Sequence, residues 1–247
     1  MPNYLNEITI VMNFICTSKE RLNFVLKNIT TWSDIVGDCQ FVVNFNDSVN
    51  LEPIQTAFKE NIPKLTFSNA QEKDFALTTY NISKDIKTPY VLFVCEDCIF
   101  NMNKSDLNNI LQEAIGADVD FINLAKIEKY IRSNYRKQGK YVEGEHGYFY
   151  KGRNSPSSRL SIQALFKTEL WLDYNKNFLE KRKSQWPHEL KFKYYNLPHC
   201  IEGYYDFSLG PQKNPLFAEL NCYIPKKIIF GHWDKTKQKH AYKKNEI

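Results

Sequence analysis

Glycine is scarce in this chain, with 9 among 247 residues. Set beside 15 Tyr and 17 Phe, that scarcity excludes collagen-like and disordered classes. No apolar run approaches the length needed to span a bilayer. The opening residues, Met-Pro-Asn-Tyr-Leu-Asn-Glu, lack the basic-then-apolar build of a signal peptide, so the expected location is cytoplasmic. Cysteine is thinly spread, at 16, 39, 95, 98, 200 and 222. Cys95 and Cys98 form a C-x-x-C, but no second ligand pair stands at zinc spacing. The two carboxylates inside that motif would raise a thiol pKa, the opposite of what a redox pair requires.

A large net charge is missing as well. The formal charge is only +5, and much of the excess collects in Lys226, Lys227, Lys235, Lys237, Lys239, Lys243 and Lys244. Residues 231–247 are therefore expected as a solvated, partly disordered basic tail, suited to weak association with an anionic membrane surface. No recognition motif supports nucleic-acid binding.

What is present is a regular alternation. Ile8 to Ile15 reads as a buried strand, and Thr17-Ser-Lys-Glu20 as a capping box opening a helix through Leu22, Val25, Leu26 and Ile29. Phe41 to Phe45 is a second strand. Leu51, Ile54, Phe58 and Ile62 mark a second amphipathic helix, and Leu65 to Phe67 a short third strand. A helix over Phe75 to Ile86 precedes a fourth strand, Tyr90 to Val94. Further on come a helix over Ser105 to Ile115 and a strand at Phe121 to Leu124. Tyr130 to Asn154 is aperiodic. A strand at Leu160 to Phe166, a short helix over Lys167 to Asp173 and a helix opening at Pro187 complete the pattern. Strands alternating with helices at this rhythm predict an α/β fold with a mostly parallel central sheet flanked by helices. No linker or repeat divides the chain, so one domain is expected over 1–247.

The fourth strand is the organising feature. Two adjacent acids, Glu96 and Asp97, follow it and are followed at once by Ile99 and Phe100. Carboxylates set between apolar stretches are costly unless paired or bound to a cation, so they mark a candidate site. Open α/β sheets bind ligands at the carboxyl ends of their strands. Thr17, Asp47 and Glu96-Asp97 all follow such ends.

In this order the segments resemble a GT-A-fold glycosyltransferase, most like the inverting family-2 enzymes, over roughly residues 8 to 195. The resemblance implies a Rossmann-like nucleotide-sugar half over about 1–125 and an acceptor half over about 126–230. It implies that Thr17 and Arg21 hold the nucleobase and that Asp47 contacts it. Leu92-Phe-Val-Cys-Glu-Asp-Cys98 matches the family's acidic motif except at Cys98, where the family has an acid. Ser161 to Trp171 looks like the strand-to-helix segment beside the acceptor. Pro187-His-Glu189 looks like the catalytic-base motif.

The implied activity moves a sugar from a nucleotide-diphosphate sugar to a hydroxyl of a glycan or lipid-linked acceptor. The departing diphosphate builds negative charge that Mn²⁺ or Mg²⁺ can neutralise, with Asp97 and Glu96 as ligand candidates. Glu189 is the candidate general base, kept ionised by its place in a first helical turn, and His188 is its neighbour and rival. His232, in Phe230-Gly-His-Trp-Asp234, is a third metal-ligand candidate, by analogy with some retaining GT-A families. Lys84, Arg153 and Arg159 suit phosphate contacts. Tyr148, Phe149, Tyr150, Trp171 and Trp186 suit stacking on sugar faces. Alternatives of other kinds are a non-catalytic nucleotide-sugar or glycan binder, with Cys98 marking loss of the metal site, and a retaining enzyme using His232. A nucleotidyltransferase is disfavoured because Cys16-Thr-Ser-Lys-Glu20 contains no glycine.

Overall fold

Ile8–Phe14 (β1) is buried along its whole length, as a near-continuous apolar run requires when both faces of a sheet are covered. This comes from a computed structural model that describes residues 3–14, 19–45, 51–68, 75–94, 98–100, 103–116, 118–123, 141–143, 147–151, 164–180, 201–205, 217–219, 229–234 and 239–244. A 3₁₀ turn, Tyr4–Glu7, leads into β1. The first helix, Lys19–Val36 (α1), runs a further seven residues past Ile29. It stops at Gly37, where a Cβ would lie 2.3 Å from the Ser33 carbonyl oxygen, a distance no side chain tolerates. Gln40–Phe45 (β2), Glu52–Asn61 (α2), Leu65–Ser68 (β3), Phe75–Ser83 (α3) and Tyr90–Phe93 (β4) follow. Pro53 stands in the first turn of α2, where its missing N–H costs nothing.

The second half departs further from expectation. Cys98–Phe100 (β5) leaves the main sheet and pairs antiparallel with Phe217–Glu219 (β11). Lys104–Gly116 (α4) and Phe121–Asn123 (β6) come next. The aperiodic segment contains an antiparallel pair, Tyr141–Glu143 (β7) and Gly147–Lys151 (β8). Ala164–Lys167 (β9) falls within the predicted strand, whose first residues lie outside the described ones, and Thr168–Glu180 (α5) runs well past Asp173. Ile201–Tyr205 (β10) is a strand without a clear apolar alternation. The stretch expected as a solvated tail contains an antiparallel ribbon instead, Ile229–Asp234 (β12) with Lys239–Lys244 (β13). The helix predicted from Pro187 lies outside the described residues.

The main sheet has nine strands in the order β3-β2-β1-β4-β9-β6-β10-β8-β7. β3, β2, β1 and β4 are parallel, and β9 runs antiparallel to both β4 and β6. The result is a mixed, mostly parallel α/β sheet with helices on both faces.

Period-two alternation divides the strands between two cores. Ile10, Met12 and Phe14 of β1, Phe41, Val43 and Phe45 of β2, and Tyr90 and Leu92 of β4 join α1, α2 and α4 in one apolar cluster. Phe14, Trp32, Phe45 and Phe58 meet there at centroid distances of 5.4 to 6.4 Å. Cys39 belongs to this core, and burial pushes its thiol up to about 12, in keeping with a cysteine acting as a small hydrophobe. The alternate residues face α3 and α5. Phe93 and Phe166 each lie 5.2 Å from Trp171, and Tyr174 lies 6.1 Å from it. Trp171 is fully buried in that packing, which corrects the expectation that it stacks on a sugar.

Candidate functional site

β1, β2 and β4 end at one edge of the sheet. Phe14 stands opposite Phe45 in register, and the Val94 N–H donates to the Val11 carbonyl at 3.0 Å. Chain order turns back here. β1, β2 and β3 step outward in one direction, and β4 then returns to the other flank of β1. The helices follow suit, with α1 and α2 on one face and α3, which connects β3 to β4, on the other. In open α/β sheets ligands bind at such a reversal, in the crevice outside the carboxyl ends of the two strands that flank it, here β1 and β4. Adjacent strands lie about 5 Å apart, so the three segments leaving β2, β1 and β4 begin within roughly 10 Å of one another.

The predicted residues fall around this edge unequally. Thr17 follows β1, Asp47 follows β2 and Glu96-Asp97 follow β4, but all four lie outside the described residues. Arg21 is in the first turn of α1. Lys84 is exposed just past α3, in the connection entering the amino end of β4, so it stands toward the opposite edge from the segment that carries Glu96 and Asp97. The structure does not bring it to the crevice. His188, Glu189, Arg153, Arg159 and Trp186 lie outside the described residues. Tyr148, Phe149 and Tyr150 belong to β8, and His232 lies in β12 opposite Ala241, in the separate ribbon. Among the described residues, no group of three or more His, Cys, Asp or Glu could hold a metal ion.

Two features escaped the sequence reading. The first is Glu219 of β11, which stands in register with Cys98, the position at which the acidic motif lacks its last acid. The second is a buried polar chain behind the crevice. Asn13 of β1 and Asn44 of β2 are register partners, and the Asn44 Nδ2 donates to Asn13 Oδ1 at 3.0 Å. Asn13 Nδ2 donates to Thr79 Oγ1 on α3 at 3.1 Å. One turn on, Ser83 Oγ donates to the Thr79 carbonyl at 2.6 Å and accepts from Trp171 Nε1 at 3.0 Å. Asn175 Nδ2 closes the chain on the Trp171 carbonyl at 2.8 Å. The signal was legible in outline: Met-Asn-Phe14 and Val-Asn-Phe45 repeat an asparagine, a residue depleted from strands, at the same place in two apolar runs.

The opposite edge carries a cleft of about 800 Å³ lined by Tyr4, Glu7, Lys87, Tyr90, Asp118 and Lys167, among others. It is not where the acidic segment leaves the sheet. Lys167 ties that edge together, with Nζ 2.8 Å from Asp118 and 3.1 Å from Asp120. Burial by itself would lower the Lys167 pKa, but its hydrogen bonds to the two carboxylates outweigh this and hold it above the ordinary lysine value. Asp118 has a left-handed backbone, φ 52°, a conformation Asp tolerates better than most residues. Burial likewise raises the Tyr90 phenol, whose hydroxyl donates to the Val119 carbonyl at 3.2 Å. These groups are engaged with one another and read as structural.

No family model matches the chain, and a search of curated proteins finds no match. Solved structures do resemble it. A fragment of S. aureus TarS is 11% identical with a TM-score of 0.49, over 81% of this chain and 60% of that one. The mannosyltransferase PcManGT from Pyrobaculum calidifontis, in complex with GDP-Man and Mn²⁺, is 15% identical with a TM-score of 0.44, over 66% and 45%. A 4-diphosphocytidyl-2C-methyl-D-erythritol synthase from Anaerococcus prevotii is 10% identical with a TM-score of 0.47, over 85% and 92%. The chain thus spans less than two thirds of the TarS fragment and of the mannosyltransferase.

Proposed function

We propose that this chain is a glycosyltransferase of GT-A-like fold that takes its sugar from a nucleotide-diphosphate donor. The observation that supports this reading is the strand-order reversal between β1 and β4, with Glu96 and Asp97 following β4 in the chain. In the proposed reaction, an acceptor hydroxyl oxygen attacks the anomeric carbon as the bond to the nucleoside diphosphate breaks. The diphosphate departs with the electron pair, and Glu189, with His188 as the alternative, takes the hydroxyl proton. Thr17, Arg21 and Asp47 are proposed to hold the nucleoside. Adjacent carboxylates form a hard-oxygen donor set that suits Mg²⁺ or Mn²⁺ better than zinc. Such an ion, when bound, would offset the charge that develops on the leaving diphosphate. The acceptor is proposed to be a glycan or lipid-linked hydroxyl, with the basic C-terminal ribbon lying against an anionic membrane surface in the cytoplasm.

A thermal-shift screen of nucleotide-sugars with and without Mn²⁺ tests this. A true donor at about 100 times its dissociation constant stabilises the protein by about 2.7 kcal/mol. Asp97→Asn is then expected to lower turnover about a hundredfold or more. Full activity in that variant would remove Asp97 from the site. Affinity without turnover in the parent protein would favour a binding module. Release of pyrophosphate from a nucleoside triphosphate would favour nucleotidyl transfer.

A further inference from the structure

The Asn13–Asn44 pair occupies an unusual place. Both side chains are buried, and each is the last residue of its strand on the face toward α3. One residue beyond each, Phe14 and Phe45 pack together on the other face at 5.4 Å. The parallel ladder pairs β1 with β2 through to Phe14 and Phe45, and the ring contact there is non-directional. The 3.0 Å hydrogen bond between the asparagines adds a directional side-chain tie at the same end. The pair is also not isolated. It is anchored through Thr79 to α3, and α3 through Ser83 and Trp171 to α5, the helix that precedes the segment carrying His188 and Glu189.

We infer that Asn13 is a positioning residue for nucleotide binding. It ties the carboxyl ends of β1 and β2 to each other and to α3, and so supports binding of a nucleoside diphosphate at that edge of the sheet. This inference rests on the transferase reading of the crevice, and it names the diphosphate nucleoside portion of the donor, not the sugar, as what the pair serves. The Thr79–Ser83–Trp171 relay runs from those strand ends along α3 to the first turn of α5, which ties α3 to α5 across this face of the sheet.

The test is calorimetric titration of UDP, GDP and CDP, each with Mn²⁺, into the full chain and two variants. Asn13→Leu/Asn44→Leu replaces both partners with apolar groups of similar size, a change that can leave stability nearly intact. Thr79→Val keeps shape and removes the acceptor for Asn13, which gives a second measurement should the double variant not fold. The double variant is expected to weaken the preferred nucleotide about tenfold and Thr79→Val about threefold. Once a donor is known, KM for it should rise by the same factor with kcat nearly unchanged. Folded variants that bind the nucleotide as tightly as the parent overturn the positioning role while leaving the transferase reading intact. A parent protein that binds none of the three overturns that reading and the positioning role together.

Discussion

Toward α1, α2 and α4, the strands of the first half present hydrocarbon and rings: Ile10, Met12, Phe14, Phe41, Val43, Phe45 and Leu92. Toward α3 and α5 the same strands present Thr9, Asn13 and Asn44 between their apolar neighbours, and α3 answers with Thr78, Thr79 and Ser83, all buried. Thr9 pairs with Thr88 at 2.7 Å, and the asparagines with each other and with Thr79. The first face packs by area and tolerates rearrangement that conserves volume. The second is directional, since each buried polar group demands its partner in place. The ladder and the first face set which strands pair and in what register. The second adds directional side-chain ties, one of them at the carboxyl ends of β1 and β2 beside the strand-order reversal.

The largest test of this contrast is Phe58→Ala. Phe58 is fully buried among Phe14, Trp32, Phe45 and Phe67, so the substitution should cost about 3–5 kcal/mol in urea unfolding. Nucleotide affinity of the protein that remains folded should change little. Trp171→Phe should cost less, about 1–3 kcal/mol, because the ring packing largely survives while the Ser83 hydroxyl loses its donor. Adding Ser83→Ala should then cost less than it does in the parent chain, and strict additivity in that cycle would remove the directional bond from the account. The smallest effect is expected at the rim. The hydrogen bonds from Lys104 and Asn3 hold the Asp38 carboxyl below its ordinary value, but its side chain is 37% exposed and that of Lys104 47%. Asp38→Asn should cost only a few tenths of a kcal/mol at neutral pH. A depressed carboxylate pKa stabilises above the unfolded value and loses that contribution as the proton binds. The difference should therefore fade as pH drops below 3.8. A large or pH-independent loss would move Asp38 out of the rim and into the framework.

Much of the first half was readable residue by residue. The apolar runs of β1, β2 and β4 and the helical spacing of Ile54 and Phe58 are local patterns, and the observed bounds differ from the expected ones by only a few residues there. The second half was poorly legible for an equally physical reason. Gly147–Lys151 is an almost unbroken aromatic stretch and Ile201–Tyr205 mixes polar and apolar positions, so neither shows the alternation that marks a half-buried strand. The lysines of Lys239–Lys244 suggested a solvated tail, although a charged strand paired with a more apolar one forms a stable register across a ribbon. Of the site, Glu96 and Asp97 were conspicuous because charge between apolar runs is anomalous. Lys84 was proposed on its charge alone, whereas its place between the end of α3 and the start of β4 sets it toward the amino edge of the sheet.

By itself the sequence determined which segments are strands and helices in the first half, that they alternate, and which acids follow strand ends, because periodicity and burial cost are local properties of the chain. Only the tertiary structure decided which strand returns beside β1, which edge Lys84 occupies, that Glu219 comes to stand opposite Cys98, and that two asparagines thirty-one residues apart meet across the sheet. Those are matters of register and chain reversal. Pairing between distant strands is settled by how whole faces are buried, and no single stretch of residues carries that information.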